Sequence, residues 1–127
     1  MREVGIYIIG KIGDVTPEKE KWNVERLMEF TEDICRKKDE WKEKGILISC
    51  YPTAYTGRWK DKCGYAATDF YEVDNVQLKK QDVACVRPEG VETSVGARSE
   101  IALCTGLGIP VKIGHYELWA WLNSLVS

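Results

Sequence analysis

DVACVRPEGVETSVGARSEIALCTGLGIPVKI, residues 82–113, contains one complete strand–helix–strand unit. Asp82 to Arg87 is a short apolar run that ends at Pro88-Glu89-Gly90, where neither proline nor glycine continues a central ladder. Ser94 and Gly96 then precede about a dozen residues of helical pattern, which Gly106 and Gly108 end. Ile109 to Ile113, opened by Pro110, is a second apolar run. Two strands joined through a helix are parallel neighbours in one sheet.

The rest of the chain repeats this rhythm. Val4 to Ile9, ending at Gly10, is an apolar, β-branched run without alternation, the mark of a strand buried on both faces. Pro17 opens a polar segment in which Leu27, Phe30, Ile34 and Trp41 share a helical face, and Gly45 stops it. Gly45 to Cys50 repeats the buried-strand pattern and runs into Tyr51-Pro52. From Tyr51 to about Tyr71 no period emerges, but the stretch is rich in aromatic residues, which suits a functional loop. A short helix is expected from Asp74 to Lys80, and a closing helix from Tyr116 to Val126 whose apolar face carries Leu118, Trp119, Leu122 and Leu125. The expected architecture is a single α/β domain over 1–127, a flavodoxin- or Rossmann-like three-layer sandwich. Its parallel sheet has four or five strands in the order 2-1-3-4, with helices on both faces. In such folds ligands bind beyond the carboxyl ends of the strands where the order reverses, here between the first and third strands.

The bulk composition narrows the function. Eighteen Lys and Arg against 20 Asp and Glu give a net charge of −2, which lacks the basic excess that a nucleic-acid polymer demands. Cys35, Cys50, Cys63, Cys85 and Cys104 are scattered without paired spacing, so they read as buried thiols in a reducing compartment rather than as a zinc site or disulfide framework. No stretch reaches the ~18 apolar residues of a membrane span. The expectation is a soluble cytoplasmic protein that engages neither membrane nor polymeric nucleic acid and needs no metal or cofactor.

Position 100 is the anomaly. On a wheel of about 100° per residue, Gly96, Ala97, Ile101, Leu103, Cys104 and Leu107 fill one arc, and Glu100 lies near its middle, while Arg98, Ser99, Thr105 and Gly106 lie opposite. A carboxylate on the core face is costly unless it is paired or working. Helical side chains lean toward the helix amino terminus, so Glu100 points to the expected ligand mouth. The alternative is a buried Glu satisfied by hydroxyls or backbone amides. Asp74 is the second candidate carboxylate, with an equally simple reading as an N-cap whose Gln77 completes a capping box. Asp82 reads as structural. His115, the only histidine, is too far along the chain from these residues to assemble a triad.

Taken together, Gly5-Ile6-Tyr7-Ile8-Ile9-Gly10, Asn23, Tyr71-Glu72-Val73-Asp74, Asp82, Ser94 to Leu103 and Gly108-Ile109-Pro110-Val111 resemble the nucleoside 2-deoxyribosyltransferase superfamily, including its nucleoside 5′-monophosphate N-glycosidases. The resemblance covers nearly the whole chain. It implies cleavage or transfer of the N-glycosidic bond of a 2′-deoxynucleoside or its 5′-monophosphate. In that scheme Glu100 is the nucleophile, Asp74 the carboxylate that serves the leaving base, and Tyr7 the tyrosine that holds the nucleophile. Gly10, Lys11, Ser94, Gly96, Arg98, Trp59 and Tyr71 are the implied substrate-binding residues, and Tyr55, Tyr65 and Phe70 share the aromatic loop. Family transferases carry an acid six residues before the nucleophile, and the monophosphate hydrolases a serine. Ser94 matches the serine, and it also suits a plain N-cap. Lys11-Ile12-Gly13-Asp14 departs from the Ser-and-Arg loop of the hydrolases. The resemblance further implies a homodimer or larger homo-oligomer. A protein that holds a nucleotide-derived signal on the same fold without cleaving it is the alternative function.

Overall fold

A computed structural model of the chain describes residues 1–53 and 63–126, apart from the side chains of Ala67, Phe70 and Tyr71. Its strands are β1 (Arg2–Ile9), β2 (Ile46–Pro52), β3 (Val83–Val86) and β4 (Val111–Ile113). They form one parallel sheet in the order β2-β1-β3-β4, the expected arrangement. The helices are α1 (Pro17–Cys35), α2 (Lys38–Glu43), α3 (Ala67–Leu78), α4 (Val95–Leu107) and α5 (Gly114–Ser124).

Strand alternation sorts the core into two halves. Val4, Ile6 and Ile8 of β1, with Val83 and Cys85 of β3, meet Leu27 and Ile34 of α1, Trp41 of α2, and Leu118 and Leu122 of α5. Tyr7 and Ile9, with Ala84 and Val86, meet Leu78 of α3 and Ala97 and Cys104 of α4. The sheet is therefore covered on both faces, as the unbroken apolar runs of β1 and β3 require.

Local chemistry fixes the ends. Thr16 Oγ1 accepts from Lys19 N at 3.2 Å, and Pro17 occupies the first turn of α1, where its missing N–H costs nothing. Ser94 Oγ accepts from Ala97 N at 3.2 Å and so caps α4. At the other end of α4, Gly108 adopts φ +74° and Ile109 N bonds Cys104 O at 2.9 Å, closing the helix in the left-handed manner that glycine permits. Asp82 is structural, because its Oδ2 accepts from Gly5 N at 2.8 Å and ties β1 to the start of β3.

Several boundaries depart from the sequence reading. The segment from Pro17 to Gly45 is two helices, not one, broken at Arg36–Lys37 with no glycine or proline to mark it. Trp41 still reaches the core and stacks on Trp119 at 5.7 Å. Strand β2 runs on through Tyr51 and Pro52, since it is an edge strand and can spare one donor. Helix α3 begins at Ala67, seven residues before the expected start, so Asp74 lies inside it and caps nothing. The cap chemistry belongs instead to Asp69, whose Oδ2 accepts from Ala66 N at 2.8 Å. Cys85 and Cys104 are buried, but Cys35 and Cys63 are exposed, which corrects the expectation of five buried thiols; the described structure has all five free. Among the described residues, no helix is long and apolar enough to cross a membrane.

Candidate active site

Residue Tyr7 sits near the carboxyl end of β1, with its side chain fully buried on the α3–α4 side of the sheet. Helix α4 crosses above it and supplies Glu100. The Tyr7 hydroxyl donates to Glu100 Oε2 at 2.5 Å. The carboxylate thus finds a hydroxyl partner ninety-three positions away in sequence. That partner alone fits both sequence readings, a satisfied structural Glu and a held nucleophile.

Asp74 adds a second carboxylate to the cluster. It projects from α3 close enough for its charge to raise the pKa of Glu100, Tyr7 and Tyr51 together. Like charges this close oppose ionisation of both carboxylates. Burial, reinforced by Asp74, pushes Glu100 from its ordinary 4.5 up to about 8, against the opposing pull of the Tyr7 hydrogen bond. Tyr7 is raised far out of its usual range, by burial first and then by Glu100 and Asp74, so its phenol remains a proton donor. One turn beyond Glu100, the buried Cys104 thiol is pushed up to about 11 by burial and by the Glu100 charge.

The cluster has a fourth member that sequence reasoning did not single out. Tyr51 pairs with Tyr7 in the β1–β2 register, and their rings stack at 5.8 Å with planes 14° apart. Burial and Asp74 raise its pKa. The sequence reading placed Tyr51 just past the strand, and its neighbour was not readable, because the register between two strands is set by tertiary packing.

Around this cluster the loops arrive where the topology places them. Asn23 Nδ2 donates to Ile12 O at 3.1 Å and to Asp14 Oδ2 at 3.2 Å, which pins the loop after β1 to α1. Lys11 Nζ donates to Thr93 Oγ1 at 3.0 Å and lies 3.7 Å from Asp14 Oδ2, linking that loop to the residue before Ser94. Gly10 is a glycine for packing reasons: a Cβ there would come within 2.6 Å of Leu27 Cδ1. Gly96, in the first turn of α4, has nothing within 4 Å of where its Cβ would be.

Tyr7, Asp74 and Glu100 are therefore gathered into one electrostatic unit, with Lys11 and Ser94 along the adjoining edge. Arg98 is not gathered. It is exposed and lines a surface depression with Val95, Ser99 and Ala102 on the side of α4 turned away from Glu100. Leu107, placed on the core arc by the helical wheel, is 45% exposed. Tyr71 falls in α3, with its side chain among those not described, as does Phe70; Trp59 and Tyr55 lie outside the described residues. His115 is remote, its Nε2 3.2 Å from Phe30 O and its ring stacked on Phe30 at 4.2 Å. Among the described residues no group of three or more His, Cys, Asp or Glu is placed to hold a metal ion.

Comparison with protein-family models, with curated proteins and with solved structures finds no match to this chain.

Proposed function

We propose that this protein cleaves or transfers the N-glycosidic bond of a 2′-deoxynucleoside or a deoxynucleoside 5′-monophosphate, with Glu100 as the nucleophile. The observation that carries this reading is the Tyr7–Glu100–Asp74 unit, a half-buried carboxylate held by a phenol and electrostatically coupled to a second carboxylate at the carboxyl edge of the sheet. Two carboxyl groups with separate tasks are the minimum equipment for glycosidic chemistry.

In this scheme the ionised Glu100 attacks the anomeric carbon while the bond from that carbon to the base nitrogen breaks. The bonding pair leaves with the base, which takes a proton from the Asp74 carboxyl. The resulting glycosyl ester on Glu100 is then opened by water or by a second base, whose proton returns to the Asp74 carboxylate. Tyr7 fixes the rotamer of Glu100, and its hydrogen bond favours the ionised form that attacks. Burial works the other way, keeping the carboxylate poorly hydrated and so more nucleophilic once ionised. Ser94 and the open space in front of Gly96 support room for a sugar substituent at the start of α4.

The test is direct. The chain is incubated with each common 2′-deoxynucleoside and its 5′-monophosphate, with and without a second free base, and products are separated by chromatography. Base release or base exchange that Glu100→Ala abolishes is the expected result. Absence of turnover on the whole set, together with tight calorimetric binding of an intact nucleotide, would favour the non-catalytic signal-binding role.

A further inference from the structure

A second set of charged residues meets at the same edge of the sheet, against α1 rather than α4. Arg87 follows β3 directly, and its Cβ would lie 3.4 Å from a Cβ at Gly10, so it flanks the point between β1 and β3 where strand order reverses. Its side chain is only 12% exposed, yet its acceptors are distant. Glu89 O lies 3.4 Å from Nη1, and Glu89 Oε2, on a side chain 67% exposed, lies 3.7 Å from Nε. A guanidinium presents five N–H donors in a rigid fork and loses solvation on burial. Among the described residues, Arg87 has given up most of its water for one long ion pair with an exposed carboxylate.

Arg26 on α1 stands beside it. Its Nε is buried and has no hydrogen-bond partner among the described residues, while Nη2 reaches outward to Glu29 at 2.7 Å, a carboxylate 61% exposed. Both guanidiniums lie against the same indole: Arg26 Cζ is 5.2 Å and Arg87 Cζ 6.0 Å from the Trp22 ring centroid. Trp22 is 52% exposed, a large aromatic surface left open between cations. Exposed carboxylates such as Glu29 and Glu89 hold their partners weakly, so a better acceptor displaces them. A phosphate dianion is such an acceptor, because its oxygens match the guanidinium fork bidentately. Ligands of open α/β sheets enter at this reversal of strand order.

We infer that Arg87 and Arg26, beside Trp22, form a binding site for a phosphate or phosphate-monoester dianion, on the face of the sheet opposite Glu100. This site does not depend on whether Glu100 cleaves anything.

Trp22 supplies its own reporter. The full chain is titrated with inorganic phosphate at constant ionic strength while tryptophan fluorescence is followed, and a parallel titration uses a nucleoside 5′-monophosphate. A saturable change is expected that disappears in Trp22→Phe and whose midpoint weakens at least tenfold in Arg87→Gln and in Arg26→Gln, with Arg87→Lys in between. Melting curves without phosphate establish that each variant is folded. If Arg87→Gln does not fold, Arg26→Gln decides, since its outer nitrogens already face solvent. Tighter binding of the monophosphate than of phosphate makes the ligand a phosphorylated nucleoside; equal binding makes it the free anion. The inference is overturned if neither titrant gives a Trp22-dependent signal, or if the midpoints are the same with Arg26 and Arg87 replaced as with them present.

Discussion

Replacing Glu100 by Gln removes the charge and keeps the shape, and the pH dependence of stability then isolates what burial does to this one group. In the unfolded chain Glu100 titrates at its ordinary 4.5; in the folded protein it titrates at about 8. Below 4.5 it is protonated in both states and contributes no pH dependence. Between 4.5 and 8 the folded state keeps a proton that the unfolded state has lost, so stability falls as pH rises, and above 8 the loss is complete. A factor of ten in proton affinity is 1.36 kcal/mol, so the full loss is on the order of 5 kcal/mol. That is a large share of the ~5–15 kcal/mol available to a domain. Urea denaturation followed by tryptophan fluorescence at pH 5, 6.5, 8 and 9 measures it. Wild type and Glu100→Gln should lie close together at pH 5 and separate by roughly 4 kcal/mol by pH 9, with Gln the more stable. Parallel curves across that range would refute the claim that Glu100 sits desolvated in the fold.

Other outcomes follow from the same geometry. Tyr7→Phe removes a hydrogen bond that favours ionised Glu100, so the Glu100 titration, read by carbon NMR of labelled glutamate, should move up by about one to two pH units, the equivalent of a charge-assisted bond of ~1.5–3 kcal/mol. Asp74→Asn removes a neighbouring negative charge, so the same titration should move down; shifts in one direction for both variants would break the proposed unit. If Glu100 is the nucleophile and Asp74 the acid, the working pair holds one proton, so turnover should fall as pH rises above about 8, where that proton is lost, with that limb displaced upward in Tyr7→Phe. Asn23→Ala frees the loop that Asn23 ties at Ile12 and Asp14, and a loss of about 1–3 kcal/mol is expected in urea melts. Ser94→Ala deletes the α4 cap at a cost of about 1 kcal/mol.

The fold was legible because its signals are local and redundant. Residues 82–113 carry two strand runs, a capped helix and a glycine stop, and the buried pattern of Val4–Ile9 demanded cover on both sheet faces. What escaped was whatever packing decides. The break at Arg36–Lys37 carries no glycine or proline. Ala67 to Tyr71 looked structureless because helix α3 there owes its start to Asp69 bonding Ala66 N rather than to a strong apolar stripe. That same misplacement made Asp74 look like a cap. Glu100 stood out in the sequence because a charge on an apolar arc violates the pattern around it. Tyr51 obeyed its pattern, an aromatic residue near a strand end, and so gave no sign of its stack on Tyr7. The Arg87–Arg26–Trp22 group was hidden for a related reason, since it joins the end of β3 to the middle of α1 and exists only in three dimensions.

The central claim is that Glu100 forms a bond to the sugar. A 2′-deoxy-2′-fluoroarabinosyl nucleoside, whose electron-withdrawing fluorine slows both formation and breakdown of a glycosyl ester, is incubated with the protein, quenched in acid and digested for mass spectrometry. A fluoropentosyl adduct on the Glu100 peptide, absent from Glu100→Gln, is the predicted result. Base release without an adduct at position 100, or an adduct at any other residue, would contradict the account.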